Sequence, residues 1–363
     1  MDKKLGFGLM RLPLLDHNDS GSIDIPLLQN MVDTFMERGF TYFDTAWMYC
    51  GSKSENAVKE VLTTKYPRDR YTVTSKLPAG QLENPEDRDR VFNTQLERTG
   101  LSYFDYYLLH AVSSGNLSKF EEFDCFTWLK EKKEKGLVRN IGFSYHDGPE
   151  LLDKLLSEHP EMDVVQLQIN YLDWYNPKVQ SKACYDVAVK HGKKILIMEP
   201  VKGGALANVP ENVENLFRYA EPKMSSASWA VRFAASLPNV FMVLSGMSNM
   251  EQVLDNTGFM ADFKPLTKEE HKMVLFAGKV ISKEMKIACT GCAYCADQCP
   301  MKIAIPQYFK LYNENAEKSA YEALTSEFGK ASDCIVCGAC EKICPQHLQV
   351  RKYLRDVAEK FEG

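Results

Sequence analysis

The sequence predicts a two-part α/β protein, with a (β/α)8 barrel over residues 1–264 and a small α+β domain over residues 265–363. Two observations lead to this prediction. Eight short apolar runs alternate with stretches of helical periodicity in the first part, and two copies of one four-cysteine pattern occupy the second. Alternating strand and helix patterns are typical of a parallel sheet covered by helices, and eight such pairs match a closed barrel.

The apolar runs are the predicted strands, at residues 5–9, 40–45, 71–76, 104–110, 138–144, 163–169, 193–199 and 240–246. Helical patterns separate them, for example at residues 25–38, 86–99, 127–135 and 149–157. A doubly wound sheet is the alternative, and it usually has a G-x-G-x-x-G turn between its first strand and helix. Here Gly6 and Gly8 are followed by Leu-Met-Arg-Leu-Pro, so the barrel is favoured.

The pattern changes after Pro265. Residues 267–283 read as one helix, with Thr267 as its N-cap and Glu270 at its third position. Residues 307–328, between the two cysteine runs, are polar and helical in pattern, and a closing helix reaches Phe361.

Eight of the eleven cysteines form two copies of C-x2-C-x2-C-x3-C-P, the bacterial ferredoxin run that holds iron–sulfur clusters. In two-cluster ferredoxins the fourth cysteine of each run ligates the other cluster, so the second part is expected to be ferredoxin-like. One [4Fe–4S] cluster is assigned to Cys289, Cys292, Cys295 and Cys344, and the other to Cys334, Cys337, Cys340 and Cys299. Zinc does not need three cysteines at this spacing, and disulfides do not suit cysteines this close inside cells.

Composition excludes several classes of protein. The net charge is −5 with no basic tract, which argues against nucleic acid as the main partner. No run of 18 apolar residues exists, and the N-terminus is too short and too polar for a secretory signal. We therefore expect a cytoplasmic protein of an anaerobe, without a membrane partner.

Polar residues stand at the ends of consecutive predicted strands, where a barrel places its catalytic groups. They are Asp44 with Tyr49 five residues on, Lys76, His110, Ser144, and the pair Gln166 and Gln168. Burying Asp, Lys and His is expensive unless they pair. Their convergence with a tyrosine predicts one acid–base assembly, in which a close ammonium would favour the phenolate and lower the pKa of the phenol.

At this point the sequence resembles the aldo-keto reductase family over roughly residues 4–257, through FDTAWMYCGSKSE, TSK, YYLLH, RNIGFS and VLSGMSN. The resemblance implies a barrel that binds a nicotinamide cofactor in extended form and transfers hydride to a carbonyl carbon. It makes Tyr49 the general acid, Lys76 and Asp44 the residues that tune it, and His110 the residue that orients the carbonyl. Relatives that reduce conjugated alkenes tend to carry a glutamate in place of that histidine.

The resemblance also implies a cofactor groove, which departs from the family. Ser144 and Gln166 match the carboxamide partners, but Tyr145 replaces an asparagine and Met198 replaces the stacking tyrosine. The pyrophosphate loop would be residues 199–204, including Glu199, Val201 and Gly203, and a glutamate there would repel a pyrophosphate unless it faces elsewhere. The basic pair for the 2′-phosphate falls on Gly246 and Gln252, while Asn256 fits the adenine-contacting asparagine. NADH is therefore favoured over NADPH, because two charge-assisted bonds to the phosphate are missing.

The leading interpretation is an iron–sulfur oxidoreductase of aldo-keto reductase type, which reduces a carbonyl or oxidises an alcohol with NAD(P)H and two [4Fe–4S] clusters. A ferredoxin or another electron carrier is a further partner, since clusters pass single electrons and hydride carries two. One alternative is an electron-transfer or docking protein whose clusters are a relay or structural staples. Another is an enone reductase fed by the clusters, and a flavin is a cofactor alternative that no sequence motif supports.

The doubled cysteine run predicts about eight irons per chain, because each [4Fe–4S] cluster holds four. Metal analysis of anaerobically purified protein measures this directly. Four irons per chain, or zinc in place of iron, would contradict the two-cluster assignment.

Overall fold

The computed structural model describes residues 3–16, 19–296 and 298–363. Eight parallel strands close into a barrel in the order of the sequence, as the alternating pattern predicts. The ring closes where β1 pairs with β8, with Leu5 opposite Val243. The strands are β1 (Leu5–Gly8), β2 (Tyr42–Asp44), β3 (Thr72–Pro78), β4 (Phe104–Val112), β5 (Val138–Tyr145), β6 (Val164–Gln168), β7 (Lys194–Met198) and β8 (Val240–Gly246).

Helices cover the outside of the barrel and then form most of the C-terminal part. The barrel helices are α1 (Ile25–Glu37), α2 (Tyr49–Ser52), α3 (Ser54–Val58), α4 (Asp87–Thr99), α5 (Leu117–Glu122), α6 (Cys125–Glu134), α7 (Pro149–Glu158), α8 (Ser181–Lys190), α9 (Glu211–Ala220), α10 (Ser226–Ala235) and α11 (Met250–Ala261). The later helices are α12 (Lys268–Glu284), α13 (Ile305–Asn313), α14 (Lys318–Thr325), α15 (Ala339–Lys342) and α16 (Val350–Phe361). In the described ranges, no helix is both long enough and apolar enough to cross a membrane.

Helix α12 joins the two parts of the chain. Thr267 and Glu270 form the predicted capping box at its N-terminus. Its buried residues Val274, Ala277 and Ile281 pack into the barrel core, whereas a second, smaller core starts at Ile287. The division at residues 264 and 265 stays a proposal, since the first helix after it belongs to the packing of the barrel.

The C-terminal unit is more helical than the α+β expectation. Its β structure in the described residues is one isolated parallel bridge between Ile303 and Gly329. The predicted helical stretch at 307–328 forms two helices, α13 and α14, rather than one. The core of this unit is made by residues such as Tyr308, Tyr321 and Leu354, and the cysteine runs lie against it.

A buried polar network fastens this unit to the mouth of the barrel. The Lys202 ammonium donates to both carboxylate oxygens of Asp173, at 2.8 and 2.7 Å, and to Oε1 of Gln346 at 2.9 Å. Gln346 and Gln168 exchange amide hydrogen bonds of 2.7 and 3.1 Å. All four side chains are buried, so each of them needs its partners. Gln346 is the only one of the four that belongs to the C-terminal unit.

We expect Gln346→Ala to destabilise the protein by about 1–3 kcal/mol, because Lys202 and Gln168 lose a buried hydrogen-bond partner. The thermal midpoint of the anaerobic holoprotein measures the effect. Gln349→Ala is the matched control, since Gln349 is exposed and makes no capping bond, and it should change stability by no more than about 0.5 kcal/mol. Equal midpoints for the two variants would contradict a role of Gln346 in fastening the unit.

Candidate active site

The four residues of the predicted acid–base assembly meet at the carboxyl-terminal mouth of the barrel. The Lys76 ammonium donates to Asp44 Oδ1 at 2.6 Å, to the Thr45 carbonyl at 2.8 Å and to the Tyr49 hydroxyl at 3.5 Å. The His110 ring lies edge-on to Tyr49, with ring centroids 5.9 Å apart. The carboxyl-terminal ends of β2, β3 and β4 carry Asp44, Lys76 and His110, and Tyr49 is the first residue of α2.

The pKa of Tyr49 moves in the direction opposite to the expectation. Burial raises it well above its usual value, and the charges of Tyr294 and Asp44 add to the rise. Burial also lowers the pKa of Lys76 and raises that of Asp44, and each shift is offset by the partner's opposite charge. Burial therefore favours the neutral phenol over the phenolate, because desolvation penalises the charged form. This state suits a proton donor.

His110 is a neutral imidazole in this setting. Burial lowers its pKa well below the usual value, with further lowering by Lys76 and His146. Its Nδ1 atom is buried and has no hydrogen-bond partner among the described residues, and neither has Asp44 Oδ2. Buried polar atoms without partners are rare in folded proteins, and a bound ligand would supply the partners that these two atoms lack.

Tyr294 is a site residue that the barrel pattern could not indicate. It lies between Cys292 and Cys295 in the first cysteine run, yet its ring is 6.5 Å from that of His110 and its phenol is a side-chain hydrogen-bond partner of Tyr49. The C-terminal unit therefore contributes an aromatic wall to the site. The only sequence signal was an aromatic residue inside a cysteine run.

One cavity of about 1040 Å³ connects the four residues with the predicted cofactor groove. Barrel strands line one side, and the C-terminal unit lines the other through Thr290, Cys292, Tyr294, Pro345 and Gln346. The mouth of the barrel is thus a partly open chamber between two parts of the chain.

Ser144 and Gln166 are neighbours across β5 and β6 and both line the cavity. Ser144 Oγ accepts the Ala111 N–H at 2.7 Å. Gln166 Oε1 is buried and without a partner among the described residues, whereas Gln168 is held by Asp173 and Gln346. An unpaired amide oxygen at this place fits the NH2 group of a carboxamide.

The predicted pyrophosphate loop already contains an anion. Glu199, with φ of 55°, turns its carboxylate back so that it accepts the Gly203 N–H at 2.6 Å and lies 3.5 Å from the Arg11 guanidinium. Arg11 also donates to the Thr290 carbonyl at 2.6 Å. Gly203 has φ of 63°, and a side chain there would meet the Thr290 carbonyl at 2.1 Å, so only glycine fits. Val201 lines the cavity beside this loop.

The far end of the cavity lies at β8 and α11. Gly246 is covered by the aliphatic part of Arg11, and Gln252 accepts the Ser248 N–H at 2.7 Å. Asn256 is buried and donates to Ser245 at 2.8 Å. Of the described residues that β8 and α11 contribute to the lining, none is Lys or Arg, and Glu251 and Asp255 are acidic.

A nicotinamide dinucleotide thus fits the chamber at its two ends and meets opposition in the middle. Gln166 offers a free acceptor at one end, and the β8 end of the lining carries the acidic Glu251 and Asp255. Between them, the Glu199 carboxylate occupies the backbone donor that a pyrophosphate oxygen would take, and like charges repel.

The cysteines form two separate groups of four. Cys289, Cys292, Cys295 and Cys344 line one small cavity, and Cys299, Cys334, Cys337 and Cys340 line another. Each group takes three cysteines from one run and the last cysteine of the other, as in the expected crossed arrangement. Cys292 also lines the large chamber, whereas Cys337 is exposed. The first group is therefore proximal to the barrel mouth and the second is distal.

Protein-family models match two segments of the chain. Residues 4–275 match the Aldo/keto reductase family, and residues 288–348 match the 4Fe-4S dicluster domain. An aldo-keto reductase of Mycobacterium avium is 28% identical over 223 residues, which are 61% of this chain and 71% of that protein. The NADH-specific methylglyoxal reductase of Escherichia coli is 25% identical over 275 residues, and the match covers 63% of this chain and 82% of that protein.

Solved structures show the same barrel. An aldo-keto reductase from Bacillus halodurans in its holo form has a TM-score of 0.61 at 21% identity, over 76% of this chain and 91% of that chain. One from Klebsiella pneumoniae in complex with NADPH has a TM-score of 0.59 at 18% identity, over 75% and 89%. At these identities the likeness is one of fold. The match over most of the chain shows that this protein belongs to the aldo/keto reductase family, as an oxidoreductase that carries a C-terminal 4Fe-4S dicluster domain.

Proposed function

We propose that the protein reduces the carbonyl group of a small molecule in the chamber at the barrel mouth, or oxidises the matching alcohol in reverse. The observation that carries the proposal is the meeting of Asp44, Tyr49, Lys76 and His110 on one cavity, with unpartnered buried atoms on two of them. Buried polar atoms without partners mark the place where a polar substrate would bind.

Each residue has a distinct task in this proposal. The neutral His110 imidazole holds the carbonyl oxygen, which gains negative charge as the carbon is reduced. Tyr49 delivers its proton to that oxygen, and the high pKa keeps the proton on the phenol until charge develops. Lys76, held by Asp44 and the Thr45 carbonyl, faces the phenol oxygen and stabilises the phenolate that is left.

The redox groups are proposed from the residues that would hold them. Ser144, Gln166 and Asn256 would contact a nicotinamide dinucleotide, which supplies hydride when bound. Two [4Fe–4S] clusters, one on each cysteine group, would supply single electrons. NADH is the preferred dinucleotide in this proposal because Glu251 and Asp255 disfavour a 2′-phosphate, and a relative in Escherichia coli is named an NADH-specific methylglyoxal reductase.

Tyr49→Phe should abolish carbonyl reduction while leaving dinucleotide binding intact, because the ring stays and only the proton is lost. Proton transfer of this kind contributes about 10²–10⁴-fold to a rate. The assay is an anaerobic panel of aldehydes, ketones and α,β-unsaturated ketones with NADH.

Tyr175→Phe is the matched control, since Tyr175 is 64% exposed and outside the chamber. Unchanged turnover in Tyr49→Phe would remove Tyr49 from the mechanism. If only the unsaturated ketones react and the products keep their carbonyl, alkene reduction replaces carbonyl reduction as the function.

NADH should bind at least as tightly as NADPH, and Glu199→Gln should tighten both. The amide keeps an oxygen for the Gly203 N–H but removes the negative charge that faces the pyrophosphate. Hydrogen bonds to charged groups are worth about 1.5–3 kcal/mol, which corresponds to about tenfold or more in the dissociation constant.

Calorimetric titration of the oxidised holoprotein measures the dissociation constants without turnover. Glu211→Gln is the control, because Glu211 is an exposed carboxylate on α9 outside the chamber. A dissociation constant for NADPH tenfold below that for NADH would contradict the preference and would indicate Arg11 as the phosphate partner. Unaltered or weaker binding to Glu199→Gln would contradict the role of Glu199.

A further inference from the structure

Exposed apolar side chains are concentrated around the distal cysteine group. Of ten large hydrophobic residues that are exposed in the described chain, four belong to this region: Met301 (37%), Ile335 (60%), Val336 (60%) and Ile343 (41%). Ile335 and Val336 directly precede Cys337, the exposed cysteine, and Met301 and Ile335 line the same small cavity as the distal cysteines. Clusters of exposed apolar residues on soluble proteins commonly mark interaction sites.

Val336 adds a second signal. Its φ is 60°, a left-handed backbone conformation that is an outlier for a β-branched residue. Strained backbone of this kind is typical of functional sites, and glycine would relieve it. The valine side chain is thus kept at a strained position although it is mostly in solvent.

Positive charges outnumber negative charges by one in the groove beside these residues. A groove next to Cys334 and Val336 is lined by three cations, Arg351, Lys352 and Arg355, and two carboxylates, Glu341 and Glu359. Arg351 and Glu341 neutralise each other through a bidentate contact of 3.0 and 2.7 Å. This leaves Lys352 and Arg355 against Glu359, on a chain whose net charge is −5.

We propose that this surface docks an acidic one-electron carrier protein, such as a small ferredoxin, beside the distal cysteine group. The carrier face is defined as Met301, Ile335, Val336 and Ile343 with the cations Lys352 and Arg355. This inference rests on the proposed function, because the docked carrier would supply the single electrons that the two clusters accept. At each docking event the carrier loses one electron and this chain gains one, with no bond made or broken.

The order of the two cysteine groups supports this direction. The distal group lies under the carrier face, with Cys337 exposed, and the proximal group lies on the chamber through Cys292. Two groups in series would form a path for single electrons from the carrier face toward the chamber. An apolar centre with a charged rim is the usual composition of a protein interface, and the charge steers an acidic partner.

A second copy of this chain fits the face less well. In a twofold symmetric dimer the same patch meets itself, so Lys352 and Arg355 would face the cations of the other copy. Like charges across an interface oppose association. The negative charges of an acidic carrier would instead be attracted to Lys352 and Arg355.

The test uses the anaerobic holoprotein and a dithionite-reduced, acidic bacterial ferredoxin of the two-cluster type. Stopped-flow spectroscopy measures the second-order rate constant of electron transfer, and calorimetry with the oxidised carrier measures binding. Lys352→Glu with Arg355→Glu should lower the rate constant by about tenfold or more and reduce its dependence on salt. Lys130→Glu with Lys223→Glu makes the same charge change at exposed barrel positions and should have a smaller effect on both quantities.

Val336→Gly separates docking from folding. It should leave thermal stability equal or higher, because glycine accepts the positive φ, and yet weaken carrier binding, because the apolar side chain is lost. Reduction of every variant by dithionite alone should proceed alike, which shows that the clusters are intact.

A wild-type rate constant in the charge-reversed variant would overturn the proposal. So would a wild-type dimer that the same substitutions dissociate, since the face would then be a contact between copies of this chain. Failure of the proposed function looks different: the carrier would dock and deliver electrons, while no carbonyl compound is reduced with NADH.

Discussion

The contact between Gln346 and the buried Lys202–Asp173 pair is the constraint on which the arrangement of the site depends. Two charges without solvent contact are tolerated only when they are paired and fully hydrogen-bonded, and breaking such a pair costs about 3–5 kcal/mol. Gln346 completes their hydrogen bonds from the other part of the chain. Because Gln346 comes two residues after Cys344, this contact also fixes the proximal cysteine group over the barrel mouth.

The C-terminal unit changes the environment of the residues at the barrel mouth. Tyr294 is a hydrogen-bond partner of Tyr49, and burial raises the pKa of Tyr49 well above its usual value. The buried phenol of Tyr49 can donate one proton, and the buried neutral imidazole of His110 can donate a hydrogen bond. The C-terminal unit therefore takes part in the proposed carbonyl chemistry through the environment that it creates, as well as through its cysteines.

Groups of the protein already occupy the hydrogen-bond donors that a pyrophosphate would need. The Arg11 guanidinium and the Gly203 N–H are the donors nearest to the predicted pyrophosphate position, and Glu199 and the Thr290 carbonyl already use them. A dinucleotide bound as proposed would compete with these contacts for the same donors. Its binding would therefore be coupled to the position of the C-terminal unit.

The sequence was enough to predict the barrel, the helix cap at Thr267 and the nearness of Asp44, Tyr49, Lys76 and His110. Hydrophobic periodicity and position at the end of a strand are local properties, and the closed sheet converts them into proximity. The doubled cysteine spacing likewise indicated a dicluster domain. Three further features are visible only in the folded protein. Tyr294 is a hydrogen-bond partner of Tyr49, Glu199 turns onto Gly203, and one cysteine group is proximal to the barrel mouth whereas the other is distal. These facts arise from contacts between residues such as Gln346 and Lys202, which are 144 positions apart in the chain. No local pattern encodes such contacts, because they depend on how two separately packed parts fit together.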